Sequence, residues 1–362
     1  MPFDPVQAVA PLVVLVILVE MMAARFGQRF FDEPRDTGIS LLLGIGNIVA
    51  GSLTGAIPAA LAVGLAGFKL FPAIQFNLVT VAVCFVANDF RAYWGHRTGH
   101  RLRWAWADHV VHHSSQHFNY STGLRLGWTY YCTPAFLTLI PLLLIGFPLA
   151  MLIFVHGLNL TYQFLMHTEH VRRMPRFFEY LMNTPSHHRA HHGSNARYLD
   201  CNFGCVFIVW DRIFGTFVEE CDKELPRYGL VSNIGTFNLL RVATHEWLSI
   251  GRDAWRAKTL RQALLHIAGP PGWSPADGHT VADIERRAQA ATGTISYRSR
   301  ADEGDSRRST EPVSGITRQL PPPVATSVPS VVQTLPVPCT MASPAVDDAA
   351  SSNSQSESLT TL

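Results

Sequence analysis

Charge is scarce in this sequence: Asp, Glu, Lys and Arg make up 15% of its 362 residues, against roughly 25% in an ordinary soluble domain. The shortage is local. Ile39 to Phe68 carries no such residue in 30 positions, Leu70 to Asn88 none in 19, and Leu126 to Thr168 none in 43. A helix of about 20 apolar residues crosses the hydrocarbon layer of a bilayer, so these runs exclude a purely water-soluble chain. The last is long enough to enter and return, with Pro141, Gly146 and Pro148 at its turn. Pro11 to Ala24 adds a weaker first span with Glu20 inside it. No basic segment precedes it and no small-x-small cleavage site follows, so it reads as a helix and not as a signal peptide.

Cysteine is sparse too. Cys84, Cys132, Cys201, Cys205, Cys221 and Cys339 show no Cys-x-x-Cys pairing, which excludes a disulfide scaffold and a cysteine-rich zinc module; Cys201 and Cys205 read as a reduced pair in a packed segment. There is no Gly-x-Gly-x-x-Gly after a strand and no haem-attaching Cys-x-x-Cys-His, so no nucleotide-binding or haem domain is evident. A formal net charge of +2 says nothing about nucleic acid, and with no basic face interleaved with aromatics none is expected as a partner. Phe, Tyr and Trp are absent from Arg298 to Leu362. Such a stretch cannot bury enough apolar surface to offset its chain entropy, so 296–362 is expected to be a disordered tail.

Histidine is what the chain has in abundance, and its sixteen copies are unevenly placed. Four short clusters hold His96 and His100; His109, His112, His113 and His117; His167 and His170; His187, His188, His191 and His192. Neutral imidazole suits iron, copper and zinc far better than magnesium or calcium. His96-x-x-x-His100 puts two rings one helical turn apart, on one face. His109-x-x-His112-His113 and His188-x-x-His191-His192 repeat one another. In each, the first histidine shares a face with both later ones, while the adjacent pair diverges by about 100°, as bridging between two metal ions would require. His117, His170 and His187 fit equally as ligands or as neighbours of ligands. His156 stands inside an apolar segment, where an ionisable group is costly and usually functional; His245, His266 and His279 have no ligand spacing.

A structural zinc ion takes four ligands and a catalytic one three plus water. Eight to ten histidines exceed one such centre and nearly fill the shells of two octahedral ions. Carboxylates are too few for the soluble di-iron arrangement of four Glu and two His, leaving an all-nitrogen pair. The polypeptide segments around the clusters resemble the fatty acid hydroxylase/sterol desaturase superfamily. They run from Asp89 through Tyr93-Trp-Gly-His96, then Trp106-Ala-Asp-His109-Val-Val-His112-His113-Ser-Ser-Gln-His117-Phe-Asn119-Tyr-Ser-Thr122. Asn183-Thr-Pro-Ser-His187-His188 follows, then Asn202-Phe-Gly204 and Trp210-Asp211-Arg-Ile-Phe-Gly215-Thr216-Phe. The resemblance spans about Asn88 to Phe217 and comes nearest to the sterol-desaturase-like and alkylglycerol-monooxygenase-like branches.

The resemblance implies a membrane-bound non-haem di-iron oxygenase that uses O2 and two external electrons to hydroxylate or desaturate a lipid, sterol-like or acyl. An ether-lipid monooxygenase is the alternative within the class. Carried onto this chain, the iron ligands are His96, His100, His109, His112, His113, His167, His188, His191 and His192, completed by His170 or His187. Asp89, Asp108, Glu169 and Asn202 are candidates to orient the imidazoles. The electrons would come from a separate reductase with ferredoxin, cytochrome or a reduced pterin, and ultimately NAD(P)H. Inertness of a lipid C–H bond fits such chemistry, since no acid, base or nucleophile attacks it. From another class, the clusters suit a di-zinc hydrolase or a metal-handling protein; transport would want histidines across the midplane, not at membrane ends.

The expected fold is therefore all-α and integral to a membrane, with about four transmembrane helices in two hairpins beneath a cytoplasmic helical cap. Residues 1–88 hold helices 1–3, and 89–225 the histidine core with a second hairpin over 126–168. Residues 226–295 form a helical cytoplasmic or interfacial region and 296–362 the tail. Arg25, Arg29 and Arg35, then Arg91, Arg97, Arg101 and Arg103, then Arg172, Arg173 and Arg176 follow successive spans, against Lys69 alone on the other side. By the positive-inside rule all clusters face the cytoplasm, in a bacterial inner membrane or the endoplasmic reticulum.

Overall fold

In the computed structural model the described residues are 5–26, 34–65, 67–276 and 279–291; the tail expected over 296–362, and Arg29, lie outside them. Their regular structure is helical, apart from two isolated bridges, Met182 with Phe207 and Cys221 with Glu224. Three long helices and one short one come first: α1 Pro5–Arg25, α2 Pro34–Thr54, the ten-residue α3 Ala56–Leu65 and α4 Leu78–Arg101. Then follow α5 Arg103–His113, α6 Ile140–Ile145, α7 Leu149–Leu165, α8 Arg176–Leu181, α9 Pro185–His191 and α10 Val209–Phe214, and last α11 Leu239–Arg256, α12 Leu260–Ala268 and α13 Val281–Ala291.

Two helices, Pro5–Ala23 and Pro34–Thr54, are long and apolar enough to cross a membrane, while Ala56–Leu65 and Leu149–Leu165 are apolar but shorter. The uncharged runs divide differently from the expected spans. Ile39 to Phe68 breaks at Gly55, where Ser52 and Thr54 turn their hydroxyls back onto the carbonyls of Ile48 and Ala50, at 2.8 and 2.7 Å; such back-bonding bends helices. Within Leu70 to Asn88 only the second half is helical. Pro72 disfavours helix in the residue before it, and the chain stays irregular until Asn77 caps Thr80 N–H in a reciprocal capping box that starts α4. The run 126–168 is not a pair of long helices. Its first half is 3-10 turns, Tyr130–Cys132 and Pro134–Leu139, followed by the six-residue α6; only α7 continues on the far side. The turn does fall at Gly146, whose φ of +113° is left-handed, while Pro141 sits in the first turn of α6 instead of in the bend.

Three apolar clusters position the histidines. Cys84, Leu142, Leu143, Phe147, Met151, Leu152 and Val155 pack α4 against α6 and α7. Ile39, Leu43, Val111, Val242 and Ala243 join α2, α5 and α11. Ala190, Tyr198 and Cys201 fasten α9 to the loop after it. Polar clamps do as much. Asp89, fully buried, accepts hydrogen bonds from Val206 N, Phe207 N, Trp210 Nε1 and Asn159 Nδ2 at 2.7 to 3.1 Å, tying α4 to α7, to α10 and to the segment before it. Arg103 at the start of α5 donates to Glu246, Ser249 and Asp253 of α11 and to the His266 carbonyl of α12, which docks the helical region expected over 226–295 onto the histidine core. Away from these contacts the outer faces of α1, α2 and α4 expose Leu15, Leu18, Val19, Ile48, Val49, Leu78, Val79 and Val83. Apolar surface on this scale belongs to a protein that lies in lipid or against a partner.

Candidate metal centre

Nine histidines from four places in the chain converge beneath the long helices. His96, His100, His109, His113 and His191 form one group, His112, His167, His188 and His192 another, and within each the ligand nitrogens lie within 4.8 Å of one another. Helical geometry produces the division. His112 and His113 are successive on α5, and His191 and His192 successive at the end of α9; each pair diverges and supplies one ring to each group. His109 joins His113 one turn later, and His188 joins His192. His96 and His100 on α4 both enter the first group, and His167, just past the end of α7, enters the second.

The Nε2 atoms face one another. The separations are 3.0 Å for His96 and His109, 3.1 Å for His109 and His113, 3.2 Å for His112 and His167, 2.9 Å for His167 and His188, and 3.2 Å for His188 and His192. With metal–nitrogen bonds of about 2.1 Å, neighbouring ligands of an octahedron stand about 3.0 Å apart, so these are spacings of polyhedron edges. His100 Nε2 and His191 Nε2 are buried without any hydrogen-bond partner, an arrangement that costs free energy unless something binds them. All donors are nitrogen. The residues present fit a pair of transition-metal ions and offer nothing to magnesium or calcium.

Burial keeps the rings neutral, as metal binding requires. Loss of solvation first, then repulsion from neighbouring imidazoles, pushes His109, His113, His188 and His192 well below the ordinary histidine value. Burial likewise lowers His167 to about 4. Two aromatic walls close the cages: Trp106 stands 5.1 Å from His100 and 5.6 Å from His113, Phe118 5.1 Å from His192 and 5.6 Å from His167.

His170 and His187 are not brought into either group. His170 lies 3.6 Å from Glu20 of α1. His187 donates from Nε2 to Glu179 at 2.8 Å and packs on Phe217. His117 also stands apart, and His156 accepts from Arg91 at 3.3 Å. None of the four residues expected to orient the imidazoles touches one. Asp89 shares a helical face with His96, but seven residues place it about 10 Å away along the axis, where it clamps backbone. Asp108, next to His109 but turned about 100° from it, accepts from Thr129 N and Oγ1 at 2.8 Å. Glu169 accepts from Tyr228 at 2.8 Å, and Asn202 is bonded to Val218 and to the His187 carbonyl.

The acceptors that do orient the rings were missed because most are backbone. His96 Nδ1 donates to the Phe203 carbonyl at 3.0 Å, His191 Nδ1 to that of Cys201 at 2.8 Å, His167 Nδ1 to that of Gln163 at 2.9 Å and His112 Nδ1 to that of Arg125 at 3.3 Å. A side chain serves once: Asp200 Oδ1 lies 3.3 Å from His100 Nδ1, with Arg101 on its other oxygen at 3.2 Å. A carbonyl can belong to any residue type, so sequence holds no mark of it. Asp200 carries only a turn signal, in Asp200-Cys-Asn202.

Residues 81–216 match the family described as Fatty acid hydroxylase, a stretch that contains all nine converging histidines. Alkylglycerol monooxygenase of Danio rerio is 39% identical over 200 residues, covering 53% of this chain and 42% of that protein. The Homo sapiens protein of the same name is 39% identical over 198 residues, with the same shares. Ornithine lipid hydroxylase OlsE of Rhizobium tropici is 29% identical over 165 residues, 45% of this chain and 49% of that one. The chain thus spans less than half the length of these relatives. No solved structure matches it.

Proposed function

Because residues 81–216 belong to the fatty acid hydroxylase superfamily, we propose that this chain is a membrane-bound, O2-dependent oxidoreductase that oxidises a lipid C–H bond at a pair of non-haem iron ions. One observation carries the reading: two adjacent histidine pairs divide between two neighbouring all-nitrogen cages. His96, His100, His109, His113 and His191 would hold one ion, and His112, His167, His188 and His192 the other. When bound, the ions supply the activation of O2 that no side chain can perform. The protein holds them rigid, excludes water with Trp106 and Phe118, and keeps the imidazoles neutral.

The substrate is a lipid with a polar headgroup. Relatives named for an alkylglycerol and an ornithine lipid match over 165 to 200 residues, against 56 for one named as a putative methylsterol monooxygenase, which supports this over a sterol. The cages face the cytoplasm, below α1, α2 with α3, α4, and the α6–α7 turn. Arg35, Arg97, Arg101, Arg172, Arg173 and Arg176 stand at that end and Lys69 at the other, the asymmetry of a positive-inside topology. The electrons come from a separate donor protein or a reduced pterin.

The test is metal analysis and O2 uptake on detergent-solubilised full-length protein. About two irons per chain, with uptake that needs both an electron donor and a headgroup-bearing lipid, supports the reading. Zinc in place of iron, with turnover in the absence of O2, sinks it and favours a hydrolase.

A further inference from the structure

The two cages are not held alike. In the first, three of five imidazoles take their orienting acceptor from one four-residue segment: His100 from Asp200 Oδ1, His191 from the Cys201 carbonyl and His96 from the Phe203 carbonyl. These rings come from α4 and α9, elements far apart in sequence. In the second, His112 and His167 use carbonyls from unrelated places, His112 that of Arg125 beyond α5 and His167 that of Gln163 in the last turn of α7, while His188 Nδ1 is buried without a partner.

The segment is built to hold still. Asp200 and Asn202 have φ of +56° and +52°, the non-glycine residues at positive φ among those described, a conformation Asp and Asn tolerate best. Asn202 is fixed at both ends of its amide: Oδ1 accepts from Val218 N at 2.8 Å, and Nδ2 donates to the Val218 and His187 carbonyls at 2.7 and 3.0 Å. Asp211, fully buried, accepts from Phe203 N and Gly204 N at 2.7 and 2.6 Å. Thr216 bonds both Asp211 and Tyr93, at 2.6 and 3.0 Å, which returns the clamp to α4. Left-handed residues kept this firmly are characteristic of functional positions.

We propose that Asp200–Phe203 is a positioning loop for one metal ion of the pair, with Asp200 as its positioning residue, so that the two ions are bound unequally and removal of the Asp200 carboxylate weakens the ion of the five-histidine cage alone. The inference rests on the reading of the cages as a two-ion site. Asp200 fixes the His100 tautomer, with the proton on Nδ1, and leaves Nε2 as a lone-pair donor toward the cage; its charge also raises the donor strength of that ring. Loss of such a partner weakens metal binding by about 10- to 100-fold in other proteins.

The experiment loads full-length wild type, Asp200→Gly and Asp200→Asn with iron-57 and titrates each with a chelator while recording Mössbauer spectra. Glycine accepts the left-handed conformation and removes the carboxylate; asparagine keeps the conformation and the acceptor oxygen but loses the charge. The expected result is two irons in wild type, and in Asp200→Gly one ion weakened 10- to 100-fold with its quadrupole doublet lost first while the other ion is unchanged. Asp200→Asn should lie between them. Equal retention of both ions in Asp200→Gly, or equal weakening of both, overturns the proposal. Wild type that takes up no iron overturns the two-ion reading itself, which separates the two failures. Should Asp200→Gly fail to give monodisperse protein, Asp200→Asn answers alone: about tenfold weakening of one ion supports the proposal, and wild-type binding of both sinks it.

Discussion

At the scale of single residues, the site was legible wherever ring direction followed from helical spacing. Each residue turns a helix by about 100°, so adjacent histidines had to part, and His112 with His113 and His191 with His192 do so. Removing either side of the division should have the same outcome: His112→Ala and His191→Ala are expected to lower bound iron and abolish lipid oxidation while leaving membrane insertion intact, checked by metal analysis of the membrane fraction. His170→Ala should keep both ions, because its ring lies against Glu20 and outside the cages. What could not be read was distance along an axis and the role of main chain. Asp89 has the right face and the wrong height, and its true work, accepting four hydrogen bonds, concerns the fold. Asp211 is comparable. Its replacement by Ala leaves Phe203 N and Gly204 N buried and unpaired, a cost of roughly 2–4 kcal/mol, to be seen as a lower thermal midpoint with or without metal.

At the scale of elements, composition located the apolar runs but not their breaks. A run without charge looks the same whether it is helix, extended chain or 3-10 turn; the breaks are decided by side chains that compete for backbone, such as Ser52, Thr54 and the Asn77 cap. The bend at Gly146 was foreseeable because glycine there takes φ of +113°. A methyl group at that position would also sit 2.9 Å from the Pro72 carbonyl. Gly146→Ala should therefore destabilise the α6–α7 turn by about 1–3 kcal/mol, measured as loss of thermal stability in detergent. Docking of α11 and α12 was invisible in sequence, since it hangs on Arg103 finding Glu246 and Asp253 some 150 residues away, at 2.7 and 2.8 Å.

At the scale of the whole molecule, nine imidazoles enclosed together make stability depend on acidity. The unfolded chain titrates its histidines near 6.5, whereas burial holds His167 at about 4 and its neighbours well below the ordinary value. Between those values the unfolded state binds more protons, so stability is complete above about pH 6.5 and is lost as pH falls toward 4. Metal-free protein should show a falling thermal midpoint from pH 7 to pH 5, and a flat profile over that interval would contradict the enclosure of these rings. Protons also compete with metal for the same nitrogens, so loaded protein should release its ions on acidification.

The continuity of α4 has a mechanical consequence. The helix leaves its Asn77 cap among exposed Leu78, Val79 and Val83 and runs unbroken to His96 and His100. In the membrane-bound reading proposed above, this rigid rod has one end in acyl chains and the other in the cage, and passes displacement along its length. Bilayers too thick or too thin for the apolar part would tilt the rod, and so move two imidazoles relative to those on α5 and α9. Turnover in vesicles of graded acyl length should peak at one thickness and decline on both sides of it.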